Sequence, residues 1–388
     1  MDQRIILVQL NDKLVYAYKH TRTKRTPLGL AYVATAMIRE GYDVEIVDGN
    51  LDENIVDTVL SKKPGIVGIT CTTPLFPQLV EVVRKIKKYK IKVVIGGPHV
   101  TALPESSLAM SGADWIYIGD YGRIDDYPSR HLLRTNEYLD SARGVVEPQT
   151  SVITSRGCVG RCGFCNAART GVRFRSVENV LGELEEIYYD GIHNLVFYDD
   201  SFTTVKKRII EICKGMIWRG LKFRYQIQAR LDQIDDEVMD ILVKSGCEQV
   251  GPGIESGNLD ILESIGKSQT PEFMLEKCNL IKTYPVKLRC SYIMGWIDET
   301  EEQIIDTIKL AKNIDADENA FSIATPYPGT RMWKVALKRG LVSENMDFSN
   351  FLYYHKVGCN LSMVSDKRLM ELHELAYEEV GNREYALG

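Results

Sequence analysis

Short apolar runs alternate with stretches of helical period through the first 120 residues. The runs "RIILVQL" (4–10), "YDVEIVD" (42–48), "GIVGITC" (65–71), "KVVIGG" (92–97) and "DWIYIG" (114–119) are rich in β-branched residues and end on small or polar ones. Between them, apolar positions recur every three to four residues over 28–40, 52–62, 75–89 and 104–111. Five strands separated by four helices predict a parallel, doubly wound, Rossmann-like sheet over residues 1–125. In such sheets ligands bind outside the carboxyl ends of the strands. Those ends carry "TCTTP" (70–74) and "GGPHVT" (96–101), side chains small enough to let a large ligand approach the backbone.

Residues 120–150 show no period, and 126–149 reads as a linker. From 150 the alternation resumes, with strands expected at 151–155, 194–200, 222–228, 248–256, 286–295 and 319–326, and amphipathic segments such as "DDEVMDILVKSG" (235–246) and "TEEQIIDTIKLAKNI" (300–314) after them. Six β/α units over 150–340 are two short of a closed eight-fold barrel, so the α/β fold predicted here is a partial (β/α)6 barrel. Residues 341–388 read as a short, mostly helical region covering an open side.

Composition narrows the function classes. The chain has 388 residues, 44% of them hydrophobic, and a formal net charge of −5. No run reaches the roughly 18 apolar residues of a membrane span, and the apolar N-terminal run meets charge at once, unlike a signal peptide. A cytoplasmic location is the expectation. Acid and base are interspersed, with no basic tail, so a nucleic-acid partner is not expected. Of nine cysteines, Cys71, Cys213, Cys247, Cys278, Cys290 and Cys359 are scattered and read as buried thiols; an odd total argues against a disulfide framework.

The other three lie together in "SRGCVGRCGFCNAAR" (155–169). Cys158, Cys162 and Cys165 follow C-x3-C-x2-C directly after the first strand of the barrel, with glycines at 157, 160 and 163. Two metals compete for such a loop. A 4Fe–4S cluster is held by cysteine thiolates, and three of them leave one iron open. A structural zinc site needs four ligands, and the nearest further donors, His193 and Cys213, are distant in sequence.

The second domain resembles the radical S-adenosylmethionine superfamily. The likeness rests on the cysteine loop and, in order, on "FYDDSFT" (197–203), "IESG" (254–257), "YIMGWIDETEE" (292–302) and "SIATPYPGT" (322–330). The first domain resembles the cobalamin-binding domain that precedes the barrel in one large branch, through "TPLGLAYVATAMIREGYDVEIVD" (26–48), "VGITCTTPLF" (67–76) and "GGPHVTALPE" (96–105). The resemblance implies a 4Fe–4S cluster on Cys158, Cys162 and Cys165 whose open iron chelates S-adenosylmethionine. It implies contacts to that molecule from Phe164, from Asp199 and Asp200 at the second barrel strand, Arg230 after the third, Glu255 and Ser256 at the fourth, Ile293 and Gly295 at the fifth, and Tyr327. For cobalamin it implies Thr70, Thr72, Thr73, Leu75, Gly96, Gly97, His99, Val100 and Gly119. The D-x-H-x-x-G segment that supplies a lower cobalt ligand elsewhere is absent, which makes His99 a loop residue beside the corrin and His20 an exposed one. "IGDYGRIDDYPSRHLL", after the fifth strand, also lacks the glutamates usual in the branch, which puts the corrin edge near Gly119 in question.

The expected function is that of a cobalamin-dependent methyltransferase acting at an unactivated carbon or phosphorus, with an electron donor such as flavodoxin or ferredoxin as partner. A cyclisation or rearrangement without methyl transfer is the alternative, and a non-catalytic cobalamin sensor or carrier is the alternative of another class. A methylthiotransferase fits poorly, because Cys71 stands alone where it would need further cluster ligands. The substrate is open between a small molecule, a lipid and a protein side chain; Tyr353, Tyr354 and His355 are pocket candidates.

Overall fold

Strands β1 (Arg4–Gln9), β2 (Asp43–Asp48), β3 (Ile66–Thr70), β4 (Lys92–Gly96) and β5 (Trp115–Ile116) form a parallel sheet in the order β2-β1-β3-β4-β5. They belong to a computed structural model that describes residues 4–12, 26–120, 122–140, 147–168, 170–352 and 356–381. The four central residues of β1 are all buried, as a strand covered on both faces requires. Helices α1 (Leu28–Arg39), α2 (Ile55–Ser61), α3 (Phe76–Lys87), α4 (Pro98–Ala102) and α5 (Pro104–Ser111) connect the strands. The strand order reverses between β1 and β3, the point where an open sheet offers its ligand crevice. The segment expected as helix from 52 begins at Ile55 because Asn54 caps it, accepting from the Asp57 N–H.

The described part of the stretch read as a linker, 126–140, is structured. Thr35 Oγ1 donates to the Tyr127 carbonyl (2.7 Å), the Ser129 N–H to Ala31 (3.1 Å), and Arg134 pairs with Asp52 (2.7 Å). The Tyr138 hydroxyl, buried, bonds Asp48, and a two-residue strand β6 (Leu139–Asp140) follows. Hydrogen bonds and ion pairs hold this stretch, and neither leaves a hydrophobic period in the sequence.

The second unit opens with β7 (Glu147–Val152), then a hairpin of β8 (Ser155–Arg156) and β9 (Arg173–Phe174). Helix α6 (Val177–Tyr189), β10 (Asn194–Phe197), α7 (Lys206–Trp218), β11 (Arg224–Ala229), α8 (Asp236–Lys244), β12 (Cys247–Glu255), α9 (Leu259–Ile265), α10 (Pro271–Lys282), β13 (Lys287–Met294), α11 (Glu301–Ile314) and β14 (Glu318–Ile323) complete the alternation. The six strands β14-β13-β12-β11-β10-β7 run parallel, an open partial barrel. Alternate residues sort by face. Leu195, Phe197, Tyr225, Ile227, Val250, Leu288, Cys290, Tyr292, Phe321 and Ile323 join one core with helical Leu184, Ile212, Met239 and Ile308. The intervening Gln226, Gln249, Ser291 and Ser322 are only partly buried, and Gln249 donates to Gln226 (3.3 Å).

The compact units are residues 1–142 with 326–352, and 143–325 with 353–388. The grouping departs from boundaries at 125, 149 and 340. The returning segment carries α12 (Arg331–Lys338) and an aromatic cluster in which Phe348 meets Trp333, Phe351, Phe76 and His99. Helix α13 (Asp366–Glu379) ends the described chain and packs on β14 through Tyr377, whose hydroxyl accepts the Phe321 N–H (3.0 Å). Among the described residues no helix is long and apolar enough to cross a membrane. The six scattered cysteines are free thiols, buried except for the half-buried Cys359.

Candidate cofactor sites

The cysteine loop hangs between β8 and β9, and its conformation depends on glycine. Gly157 has φ +90°, and a Cβ there would stand 1.9 Å from the Gly171 carbonyl oxygen. Two carboxylates at the end of β10 fasten the loop. Asp199, buried, accepts from the Thr154 N–H (3.1 Å), Thr154 Oγ1 (2.9 Å) and Ser155 Oγ; burial raises its pKa against those bonds. Asp200 accepts the Gly157 N–H (2.9 Å). Beneath the hairpin, buried Arg175 pairs with buried Glu183 and donates to the Ile153 carbonyl (2.9 Å). On the far side the Gly163 N–H donates to the Ile265 carbonyl (2.7 Å).

Two of the thiols meet at the middle of the loop. A Cβ on Gly160 would lie 3.2 Å from Cys158 Sγ, 3.9 Å from Cys162 Sγ and 3.5 Å from a guanidinium nitrogen of Arg230. Arg230 is held by Asp232 through two bonds (3.2 and 2.9 Å). As free thiols, Cys162 and Cys165 have pKa values raised first by burial, Cys165 to about 11. Among the described residues no three His, Cys, Asp or Glu side chains meet as ligands of a single ion. A cubane cluster asks something different, one thiolate on each of three irons, and a loop that sets Cys165 within electrostatic reach of Cys158 and Cys162 fits that demand.

The expected S-adenosylmethionine contacts divide. Arg230 and Glu255 come to the loop: Glu255, at φ +71° where β12 breaks register with β13, is among the groups that raise the Cys162 pKa, and it pairs with Lys267 (3.0 Å). A non-glycine residue held at positive φ is a strained position of the kind found at binding sites. Phe164 stands edge-on to Trp296 (6.3 Å), which brings the loop to the end of β13, where Ile293 is buried. Asp199 and Asp200 serve the loop itself. Ser256 is fully buried, its hydroxyl 3.1 Å from Thr307 Oγ1 and accepting the Asn258 N–H. Gly295 (φ +83°) has its reason in α13, since a Cβ would stand 2.7 Å from Leu369. Tyr327 lies in the segment grouped with the first unit and donates to the Phe351 carbonyl (2.6 Å). Sequence reasoning missed Lys267 and Glu299; the latter is buried and accepts the N–H groups of Gly295 and Trp296 (2.6 and 2.8 Å). Its signal was present within "YIMGWIDETEE".

In the first unit the adjacent ends of β3, β4 and β5 carry Thr70, Gly96 and the open Gly119, around whose absent Cβ nothing stands within 4 Å. Thr72 is exposed. Gly97 (φ +97°) packs on the end of β3, 2.7 Å from the Cys71 nitrogen at its Cβ position. Small residues at these strand ends, with Gly119 open, fit a broad, flat ligand. Thr73, Leu75, Val100 and His99 are buried beneath. The His99 ring lies 4.3 Å from Phe76 and 4.9 Å from Phe348, with Nδ1 3.2 Å from Thr73 Oγ1, and burial lowers its pKa to about 4. A ring so enclosed is not presented as a cobalt ligand. Tyr353, Tyr354, His355 and His20 lie outside the described residues.

An open parallel barrel with a three-cysteine cluster loop after its first strand, joined to a doubly wound sheet with small residues at its strand ends, defines an enzyme class. Comparison with known proteins agrees. Residues 152–311 match the Radical SAM superfamily and residues 20–123 the B12 binding domain. An uncharacterized methyltransferase of Pyrococcus horikoshii is 33% identical over 369 residues, covering 82% of this chain and 80% of that one. An anaerobic magnesium-protoporphyrin IX monomethyl ester cyclase of Rubrivivax gelatinosus is 24% identical over 362 residues, covering 78% of this chain and 64% of that one. The radical S-adenosylmethionine methyltransferase TsrM of Kitasatospora setae shares the fold, with TM-score 0.74 at 18% identity, over 98% of this chain and 89% of that one. The chain belongs to the radical SAM superfamily, in the branch that carries a B12-binding domain. It is an enzyme whose cofactors are a 4Fe–4S cluster, S-adenosylmethionine and cobalamin.

Proposed function

We propose that the protein is a cobalamin-dependent radical SAM methyltransferase acting on an unactivated carbon or phosphorus centre. The observation that carries this reading is the union, in one chain, of a cluster loop fastened by Asp199, Asp200 and Arg175 with a sheet whose strand ends carry small residues. When bound, the cluster and S-adenosylmethionine supply a hydrogen-abstracting 5′-deoxyadenosyl radical, and cobalamin supplies a transferable methyl group.

The chain's residues do the holding. The Arg230 guanidinium beside Cys158 and Cys162 offsets the negative charge that ligating thiolates gather. Glu255, locked by Lys267 in a partly buried ion pair, offers a fixed carboxylate suited to the ammonium end of S-adenosylmethionine. His99, kept neutral and enclosed, would not be offered as a ligand to a bound cobalamin.

Anaerobic incubation with candidate substrates and methyl-deuterated S-adenosylmethionine tests the reading. The expected outcome is labelled product, with deoxyadenosine and S-adenosylhomocysteine in about equal amounts, because each turnover uses one S-adenosylmethionine in each role. Turnover with deoxyadenosine but no S-adenosylhomocysteine replaces this reading with cyclisation or rearrangement, which the name of the Rubrivivax relative favours.

A further inference from the structure

The concave face of the partial barrel carries amides and hydroxyls where a closed eight-fold barrel packs bulky branched side chains. With Leu195, Tyr225, Val250, Leu288 and Phe321 turned to the helices, the alternate residues of these strands turn inward. Gln226 and Gln249 lie level on adjacent strands, and the Gln249 amide donates to Gln226 (3.3 Å). Gln228, two residues before Arg230, is level with Gly251. Its amide lies across that glycine, since a Cβ on Gly251 would stand 3.1 Å from Gln228 Nε2 and 3.2 Å from Oε1. Gln228 is exposed, and among the described residues its amide has no hydrogen-bond partner.

A second glycine, Gly253, follows roughly 7 Å further along the same strand. A Cβ there would strike Glu255, the carboxylate assigned to S-adenosylmethionine. Ser291 stands level with Gly253 on β13 and is half-buried. From Gln249 to Glu255 the inner edge of β12 therefore runs amide, space, space, carboxylate. Charge on this face is matched. Arg224 pairs with Glu147, and Arg289 with Glu318 (3.5 Å). Lys287 is exposed at the first residue of β13, the strand end remote from the cluster loop.

We propose that this glycine-backed, amide-lined floor binds the substrate, and that the group it takes is an uncharged carboxamide or lactam. The inference rests on the methyltransferase reading above and names the chemical class of its substrate. A glutamine side chain presents a carbonyl oxygen and an NH2 group side by side. That edge is complementary to another amide in a two-bond pair. A carboxylate or phosphate, which only accepts, cannot complete it. A charged group would also leave water without meeting an unmatched arginine, and burying it so is costly. A lipid chain or the face of a tetrapyrrole would leave the Gln228 amide covered and unpaired. The two glycines give the bound group room against the strand, beside the carboxylate suited to S-adenosylmethionine.

Saturation-transfer NMR on the full-length protein, loaded with cluster and hydroxocobalamin, tests the proposal. The probes are N-acetylglycinamide, uracil, myo-inositol, succinate and methyl phosphate. N-acetylglycinamide represents an open amide and uracil a ring lactam, so the stronger of the two shows which form the site takes. At least one of these two is expected to bind, and the polyol and the two anions are not. Gln228→Leu is expected to weaken that binding about tenfold or more, and Gly251→Val to do the same by filling the space under the amide. Iron and cobalamin contents should stay at the wild-type level. Gln228→Glu keeps the measurement available should the leucine variant fail to fold, and should also lose amide binding because the NH2 donor is gone. Binding of no probe, equal binding of inositol or an anion, or unchanged amide binding in the Gln228 variants overturns the proposal. So does loss of cobalamin alongside the amide, since the glutamine would then be serving that cofactor. If amides bind as expected but turnover gives no S-adenosylhomocysteine, the methyltransferase reading fails instead, and the amide site stands as that of a rearranged substrate.

Discussion

The cluster loop and the strand ends of the first unit both await large cofactors, yet they are built on opposite principles. The loop is specified by side chains: three thiols, two carboxylates beneath them, an Arg230–Asp232 pair beside them and a buried Arg175–Glu183 pair below. The sheet end is specified by small residues, Gly96, Gly97, Gly119 and short threonines, with the His99 imidazole sealed among aromatic rings. An iron–sulfur cluster needs named donors at set positions. A planar macrocycle needs space, backbone and apolar floor, which many residue combinations supply.

The sharpest break of the comparison removes the donors. Replacing Cys158, Cys162 and Cys165 by alanine should abolish iron binding and deoxyadenosine formation completely, while cobalamin binding to the same protein persists. Iron analysis with visible absorption, and cobalamin retention on gel filtration, read the two halves separately. Loss of both together would mean that the sites are not independently built.

Glycine substitutions come next. Gly157→Ala sets a methyl 1.9 Å from a backbone oxygen at φ +90°, so the loop must leave its course; cluster loading is expected to fall at least about tenfold, the φ strain alone being worth about 1–3 kcal/mol. Gly97→Ala meets the Cys71 backbone at 2.7 Å and should weaken cobalamin binding with little effect on iron content. Iron and cobalamin stoichiometries of the two variants check the crossing. Equal losses of both cofactors in either variant would erase the distinction.

The same contrast explains what was legible in the sequence. The alternation of apolar runs and helical periods predicted both sheets, and C-x3-C-x2-C marked the cluster, because a core and a donor set each leave a periodic or spaced trace. The packing of 126–140 left no such trace, since it depends on Arg134–Asp52 and Tyr138–Asp48, partners more than 80 residues apart. The grouping of 326–352 with the first unit was hidden for the same reason, as Phe348 reads like any core aromatic until His99 is seen against it. At strand ends, residue type alone could not separate a carboxylate that faces a ligand from one that braces a loop; Asp199 and Ser256 were offered as contacts and are engaged within the fold.

The finest test of the comparison is in pH dependence. Each unit buries a titratable group whose neutral form burial favours between pH 4 and 7. In the first, burial lowers the His99 pKa from 6.5 to about 4, so between those values the unfolded chain binds a proton that the folded one does not. The stability that neutral His99 contributes is therefore present above pH 6.5 and lost as pH falls toward 4. In the second, burial raises the Glu299 pKa from 4.5 to about 7 against the two N–H bonds it accepts, so over that interval the folded chain binds the extra proton. Its contribution is present below pH 4.5 and lost as pH rises toward 7. The slopes oppose each other across almost the same window, each worth at most about 3 kcal/mol at 1.36 kcal/mol per pH unit. Hydrogen exchange read separately over 96–103 and 293–303 between pH 4.5 and 7 should show protection growing with pH in the first and declining in the second, after correction for intrinsic exchange. His99→Phe should flatten the first trend alone, and Glu299→Gln the second alone. If both segments followed one slope in the wild type, the two groups would be reporting a shared charge balance, and the opposition between the regions would not extend to their buried acids and bases.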